Sequence, residues 1–338
     1  MKLVDEQDII NTYSEKEQLS CKKYFEYKKL LQENPSFGYK RCAKLLGVKA
    51  GQVRWWHNKG EKRAVPLPLK KVEILREAGF IPFAINHKHC KHILRILGTL
   101  FGDGGIDIRL NTMAFISSFI EDINLWKEDL INIFPFVKEK ISIVEGGEWG
   151  HSYNVRTFDR SVIRFFVALG TPVGNKVSAK YSLPKYIFDL PNNLKISFLD
   201  GLLSSEVSVP KFRTRPAGRT GQFFSNLELG LSKIDLLEKE HRKFLNELKR
   251  LCDSLGFPFT PNLKKDMHKP RNRKDGHTSY CYRIFFQTHF DKVLYFNDKF
   301  ELRYASNKKK RLRAEVEKAL AYKNSNPNTS SRWYLRAK

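Results

Sequence analysis

Apolar positions along the chain change period several times. Near the N-terminus Tyr24, Tyr27, Leu30 and Leu31 recur at helical spacing over residues 24–32, and residues 39–46 and 50–57 predict two further short helices. Asn34-Pro35-Ser36-Phe37-Gly38 breaks the first helix from the second. A short amphipathic helix over 69–77 follows in a stretch punctuated by Pro66, Pro68 and Pro82. From about residue 91 one order of signals occurs twice. The first pass predicts a helix over 91–102, strands over 106–110 and 113–117, a helix over 119–133, strands near 139–144 and 152–157, and a helix over 160–169. The second predicts a helix over 195–205, strands near 208–214 and 222–231, a long helix over 233–255, strands near 260–265 and 279–286, a short helix over 288–295 and a basic helix over 308–321. Alternating residues such as Ile106, Ile108 and Leu110, or Phe223, Leu227 and Leu229, suit sheets with one covered face.

The expected fold class is therefore α+β: two pseudo-symmetric α-β-β-α-β-β-α halves, residues 91–190 and 191–321, preceded by a small all-α helix-turn-helix domain over 1–65. Residues 66–90 read as a connector and 322–338 as a mobile basic tail. In the first domain Ala43, Gly47, Val53 and Trp56 fall where a helix-turn-helix needs a small contact residue, a turn glycine and two core positions. Its second helix then presents Gln52, Arg54, Trp55, Asn58 and Lys59 toward a major groove. The alternative is a three-helix packing module whose basic surface is only solvated.

Charge narrows the partner. Of 338 residues, 61 are Lys or Arg and 36 are Asp or Glu, a formal net charge of +25, while 41% apolar and 13% aromatic content is too rich for a disordered basic tail. A folded protein this basic is expected to meet a polyanion, and nucleic acid is the leading one. The excess is spread over the first 65 residues, residues 206–285 and the stretch from Arg303, as a long duplex footprint requires. No stretch approaches the length of a membrane span and the N-terminus lacks the order of a signal peptide, so the expectation is a soluble intracellular protein with no membrane partner, cytoplasmic and nucleoid-associated or organellar. Cysteines at 21, 42, 90, 252 and 281 form no CxxC pair and fit a reducing compartment.

The chemistry comes from the start of each half. In Ile96-Leu97-Gly98-Thr99-Leu100-Phe101-Gly102-Asp103-Gly104 two glycines lie four apart on one helix face and a carboxylate follows the second. In Phe198-Leu199-Asp200-Gly201-Leu202-Leu203-Ser204-Ser205-Glu206 the small residues are Gly201 and Ser205 and the acid is Glu206. Small residues at this spacing let two helices approach closely, which would bring Asp103 and Glu206 together at one end. Plain core packing explains either motif alone; the repetition favours a site. Helix C-termini carry partial negative charge and two carboxylates repel, so a divalent cation would relieve both penalties. Hard oxygen ligands, few in number, suit Mg²⁺ on a phosphodiester backbone.

With these residues in view the sequence resembles the LAGLIDADG homing endonucleases in their monomeric two-motif form, from about residue 91 to about 320. The resemblance rests on ILGTLFGDGGI, on FLDGLLSSEVSV and on LGTPVGNKVSAKYSLPKYI. It implies that Gly98, Gly102, Gly201 and Ser205 form a central helix interface, that Asp103 and Glu206 bind Mg²⁺ or Mn²⁺, and that Lys176 and Lys308 are the lysines beside each active centre. It further implies two saddle-shaped sheets in successive major grooves of double-stranded DNA. Arg109, Arg156, Lys211, Arg213, Arg215 and Arg283 are the cations on predicted strands or strand ends. The implied activity is site-specific hydrolysis of both DNA strands by a monomer, as in intron homing. Val207 stands where the family usually has glycine, which puts the turn that aims Glu206 in question and keeps open an inactive DNA-binding transcriptional regulator on the same scaffold. The basic sheets also suit an intron RNA maturase.

Other signals were weaker. His87, His89, Cys90 and His92 are soft metal ligands without a second pair nearby. The basic stretch 264–273 reads as a DNA-contacting hairpin tip. Ser204 and Ser205 lack a nearby histidine base, and no phosphate-cradling glycine loop occurs.

Overall fold

The computed structural model describes residues 1–58, 64–146, 151–214 and 222–326 and divides them into two compact units. The first comprises Met1–His87 with Arg160–Leu169. It opens with strand β1 (Lys2–Val4), then helices α1 (Glu6–Asn11), α2 (Glu15–Glu33), α3 (Tyr39–Leu46) and α4 (Ala50–His57). Asp5 starts α1 because its carboxylate accepts from the Asp8 N–H at 3.0 Å while Asp8 accepts from the Asp5 N–H at 2.8 Å, two helix-end donors satisfied reciprocally. Helix α2 begins well before the expected residue 24; its first turns carry mostly polar side chains, so apolar periodicity alone did not show them. Gly47, at φ +65°, ends α3 in the left-handed conformation and leads into α4. The rings of Tyr24 and Trp56 meet edge to face at 5.5 Å, and Cys42, Ala43 and Val53 are buried.

Two boundaries differ from expectation. Residues 66–90 are no bare connector: α5 (Leu67–Glu77) buries Leu69, Val72 and Leu75 against α1 and α2, because an amphipathic helix must cover its apolar stripe. Strand β2 (Phe83–Ala84) pairs with β1. The helix Arg160–Ala168, labelled α8 in chain order and expected to close the first half, belongs to this unit instead. Phe165 packs on Phe83 at 5.1 Å and the Arg164 guanidinium lies 3.9 Å from the Tyr13 ring centre.

The second unit holds α6 (Cys90–Phe101), β3 (Gly105–Ile106), β4 (Met113–Ser117), α7 (Ile120–Ile133), β5 (Ile141–Glu145) and β6 (Tyr153–Thr157). After the loop 170–184 come α9 (Asn192–Glu206), β7 (Phe212–Thr214), β8 (Gln222–Phe224), β9 (Glu228–Ile234), α10 (Glu238–Asp253), β10 (Phe259–Lys265), β11 (Arg271–Asn272), β12 (Thr278–Phe286), α11 (Phe290–Lys299) and α12 (Ser306–Ser325). It is a mixed α and β unit with antiparallel sheets. One sheet runs β3-β4-β6-β5. In the other, β12 is central, β9 lies on one side and β10 and β11 on the other, and Val207 bridges Leu229 of β9. Strands β7 and β8 form a separate hairpin.

Inward residues alternate as a half-covered sheet requires: Met113, Phe115, Val155 and Thr157 in one, Leu229, Leu231, Tyr282 and Ile284 in the other, all buried. The predicted strand 106–110 stops at Ile106. Asp107 accepts from the N–H groups of Arg109, Asn111 and Thr112, and Leu110 takes φ +54°, so the segment closes into a turn. The predicted helix over 233–255 begins at Glu238, because residues 228–234 pair with β12. No helix among the described residues is long and apolar enough to cross a membrane.

Candidate active site

Helices α6 and α9 pack backbone to backbone. A methyl group on Gly98 would stand 2.0 Å from the Phe198 carbonyl oxygen, and one on Gly201 would stand 1.9 Å from that of Arg95. Only glycine permits this separation, and every residue of α6 from Ile93 to Phe101 is buried in consequence. One turn further on, a methyl on Gly102 would reach the Ser205 Cβ at 2.5 Å and Glu206 Cγ at 3.2 Å, so the chain carrying Asp103 runs directly against the end of α9. Gly104 is equally confined, with the Thr99 and Ala114 carbonyls 2.9 and 3.1 Å from where its Cβ would be. Val207, by contrast, has ordinary extended backbone at φ −81° and donates its N–H to Leu203 at 3.0 Å. Glycine is not required there.

Asp103 and Glu206 act on each other electrostatically, and so do Lys176 and Lys308 on both. Asp103 is exposed and the other three are half-buried, so each keeps some contact with water. Burial and the neighbouring Asp103 push Glu206 up to about 8, and burial raises Asp103 as well. Burial lowers Lys176 to about 8 against the opposing pull of Glu206 and Asp103, and it lowers Lys308 too. Among the described residues neither carboxylate accepts a hydrogen bond or has a cation within 4 Å.

The lysines are occupied differently. Lys176 donates to the carbonyls of Leu100, at 3.2 Å, and of Gly102 and Gly104, so it caps the end of α6. Lys308 donates to the Ser204 and Ser205 carbonyls, at 2.9 and 2.5 Å, and caps the end of α9. Cations at helix C-termini meet the negative end of the dipole. Each helix end thus holds one acid and one lysine. Two hard carboxylates with no third His, Cys, Asp or Glu to close a cage, among the described residues, fit an open divalent-cation site completed by phosphate oxygens and water.

The expected DNA-contacting residues scatter more widely. Arg54 and Trp55 are exposed on α4, the latter at 60%, whereas Gln52 is half-buried and donates to Ser20 at 3.4 Å. Arg109 sits in the exposed turn after β3 rather than on a strand, since Asp107 folds that segment back. Arg156 lies on the uncovered face of β6, beside Ala114 and Ser142. Lys211 and Arg213 are exposed at the β7 hairpin. Arg283 shares the uncovered face of β12 with Lys264 but is paired with Glu228, a cross-strand partner that sequence did not reveal. Lys59 and Arg215 lie outside the described residues, as does the tail from residue 327; residues 322–325 of the expected tail continue α12.

One residue of the centre was missed. Lys233 is 2% exposed and donates to the carbonyls of Lys176 and Ala179. Its signal was the alternation Leu229, Leu231, Lys233, which puts it on the covered face of a strand.

No protein-family model matches the chain. It is similar to the Methanocaldococcus jannaschii DNA-directed RNA polymerase subunit Rpo1N, 28% identical over 229 residues that cover 63% of this chain and 16% of that protein. It is similar as well to the Pyrococcus abyssi tRNA-splicing ligase RtcB, 30% identical over 56% of this chain and 21% of the ligase, and to the archaeal Lon protease of the same organism, 27% identical over 45% and 14%. The chain thus spans under a quarter of the length of these curated relatives. Among solved structures, the homing endonuclease I-DmoI in complex with DNA and Mn aligns at a TM-score of 0.38 and 17% identity, covering 63% of this chain and 97% of that one. The meganuclease I-SmaMI bound to uncleaveable DNA aligns at 0.41 and 14%, covering 70% and 93%. The N-terminal LAGLIDADG domain of DUF199/WhiA aligns at 0.34 and 16%, covering 70% and 89%. Scores of this size leave the functional reading to the residues themselves.

Proposed function

We propose that this protein is a divalent-metal-dependent, site-specific double-strand DNA endonuclease of the LAGLIDADG kind, acting as a monomer whose two pseudo-symmetric halves meet at α6 and α9. The observation that carries the reading is the convergence of Asp103 and Glu206 from two close-packed helix ends, unpartnered by hydrogen bonds among the described residues and each beside a lysine that caps its helix. Carboxylates left in that condition cost free energy that folding alone has no reason to retain.

Asp103 and Glu206 would hold the metal, Mg²⁺ or Mn²⁺, which when bound supplies a Lewis acid and an acidified water at the scissile phosphate. Lys176 and Lys308 would place positive charge at the two phosphates, one per strand, and stabilise charge developing on the transferred group. Arg156, Arg283 and Lys264 on the uncovered sheet faces, with Lys211 and Arg213, would follow the duplex backbone and base edges. The α3–Gly47–α4 pair would dock as a helix-turn-helix with Arg54 and Trp55 outward. The curated relatives support a transferable module: a polymerase subunit, a ligase and a protease share this segment over a small part of their lengths, so none of their three named activities explains it.

The test begins with selection of bound duplexes from a random library, followed by digestion with Mg²⁺. Wild type is expected to linearise a plasmid bearing the selected site. Asp103→Asn and Glu206→Gln are expected to lose at least about 1,000-fold in rate while still binding, the scale of removing an electrostatic stabiliser from a reacting centre. Undiminished cutting by both variants sinks the proposal, and tight, salt-sensitive binding by a wild type that fails to cut whichever divalent metal is supplied would establish the regulator instead.

A further inference from the structure

Lys233 is a lysine buried where a strand of this sheet would otherwise place an aliphatic residue. It follows Leu229 and Leu231 on the covered face of β9 and is 2% exposed. Among the described residues no carboxylate lies within ion-pair distance; the acid nearest in influence, Glu240, is paired with Lys180 at 3.0 Å. What compensates the ammonium is two main-chain carbonyls, those of Lys176 at 2.6 Å and Ala179 at 2.5 Å, and the face of Tyr181, whose ring centre is 4.1 Å away. Burying a cation on such terms is costly, and an aliphatic residue of similar volume is the cheaper way to fill a core position.

The benefit lies in what those carbonyls belong to. Residues 175–181 form a loop that brings Lys176 to the end of α6, and no helix or sheet supports it internally. It is stitched to the end of β9 by three bonds, the two from Lys233 and one from the Ile234 N–H to the Val177 carbonyl at 3.1 Å. The same strand, four residues earlier, bridges Val207, the residue after Glu206. Strand β9 therefore fixes both the turn of one acid and the loop of the opposite lysine. Lys308 has no such need, because it projects from a turn of α12. The two lysines reach equivalent places by unequal means, one on a helix and one on a strapped loop.

We propose that Lys233 is a positioning residue that holds the 175–181 loop so that Lys176 stays at the active centre, and that its loss disables cutting of one DNA strand selectively. The strand affected is the one whose phosphate Lys176 serves, so this inference rests on the nuclease reading. The groups facing Lys233 are Tyr181 of the loop, Glu240 and His241 of α10, and Lys176 itself. Burial pushes Lys233 down to about 8, so the assays are run at pH 7, where it is charged.

Two measurements test it. In the first, a supercoiled plasmid carrying the selected site is cut by full-length Lys233→Met, and nicked and linear products are followed. One strand is expected to slow by about 10- to 100-fold, the range of a misplaced catalytic group, while the other stays within about twofold, so nicked circles accumulate. Lys176→Met is expected to show the same strand bias, and the double variant to be no slower than Lys176→Met alone. Equal slowing of both strands, or additive losses, overturns the proposal. The second needs no cutting. Reductive methylation of metal-free protein, mapped by mass spectrometry, is expected to modify Lys176 several-fold faster in Lys233→Met than in wild type while Lys308 is unchanged; unchanged Lys176 reactivity overturns the proposal even where the nuclease reading has failed. Should Lys233→Met not fold, Lys233→Gln, too short to reach both carbonyls, is measured by the same criteria.

Discussion

Helices α6 and α9 carry acids at both ends of their contact, and the two ends are built in opposite ways. At one end Asp200 is 1% exposed and fully engaged: Arg95 Nε stands 3.0 Å from its Oδ2 as an ion pair, off the line of a hydrogen bond, and the N–H groups of Leu302 and Arg303 donate to it at 2.7 and 3.4 Å. Arg95 also reaches Glu301 at 2.7 Å. At the other end Asp103 and Glu206 lie together with water access and, among the described residues, no hydrogen-bond donor. Burial raises the pKa of Asp200 as it does that of Asp103 and Glu206, so a raised value alone does not separate the two ends. The set of partners does. A structural acid is dry and saturated with donors; the candidate catalytic acids are wet and left short of them.

Substitutions at the two ends should therefore move activity and stability in opposite senses. Asp200→Ala is expected to destabilise the protein by about 3–5 kcal/mol, because it leaves the Leu302 N–H unsatisfied in the interior and removes the buried carboxylate that faces Arg95, whose remaining partner Glu301 is exposed. Glu206→Gln is expected to leave thermal stability unchanged or higher, since it removes a repulsion, while abolishing cutting. Thermal melting and chemical denaturation of the two variants side by side check this. A large stability loss in Glu206→Gln would mean that it is a structural residue like Asp200, and the contrast would collapse.

The middle of the contact supplies the next largest effect. Gly201→Ala places a methyl inside the van der Waals envelope of the Arg95 carbonyl, and the helices must separate to admit it. Overpacking of this kind costs about 1–3 kcal/mol, occasionally more. Because the same displacement moves Glu206 away from Asp103, Gly201→Ala should reduce cutting by more than its loss of folded protein explains. Val207→Gly should do little to the turn, since Val207 already has ordinary extended backbone. Comparing the specific rate per folded molecule with the melting curve separates the two effects.

How far these ends were legible in sequence depended on how local the signal was. The small-xxx-small-acid repeat located α6, α9 and both acids because spacing on a helix is written in consecutive residues. The alternating residues marked a covered face only in part: Ile106, Leu227 and Leu229 are buried, whereas Ile108 and Phe223 are exposed, and the turn after Ile106 was hidden because the Asp107 side chain, not an apolar pattern, folds it. Partnerships between distant segments were not readable. Nothing local tells that Arg283 is paired with Glu228, that Arg160–Ala168 joins the first unit, or that Asp200 meets main-chain donors about a hundred residues on. The acid of FLDGLLSSE that is saturated with donors and the one proposed to be catalytic look alike in sequence; only their donors distinguish them.

Acidity offers the finest test of the contrast. Glu206 sits at about 8 in the metal-free fold against an ordinary 4.5, so the fold binds a proton that the unfolded chain has lost. Folding free energy must then decline as pH rises from about 4.5 toward 8, with the full benefit present only below the lower value. Lys176, at about 8 against 10.5, works the other way above that point: the unfolded chain holds the extra proton and stability recovers as pH rises further. The wild-type minus Glu206→Gln difference in melting temperature, taken without metal, should fall between pH 5 and pH 8. Adding Mg²⁺ should reverse it, because bound metal requires deprotonated carboxylates and substitutes for the absent donors. The metal-induced rise in melting temperature should be small at pH 6, larger at pH 8 and missing in Glu206→Gln. A rise independent of pH and equal in both proteins would place the ion elsewhere, and the two ends of the helix pair would then differ in hydration alone.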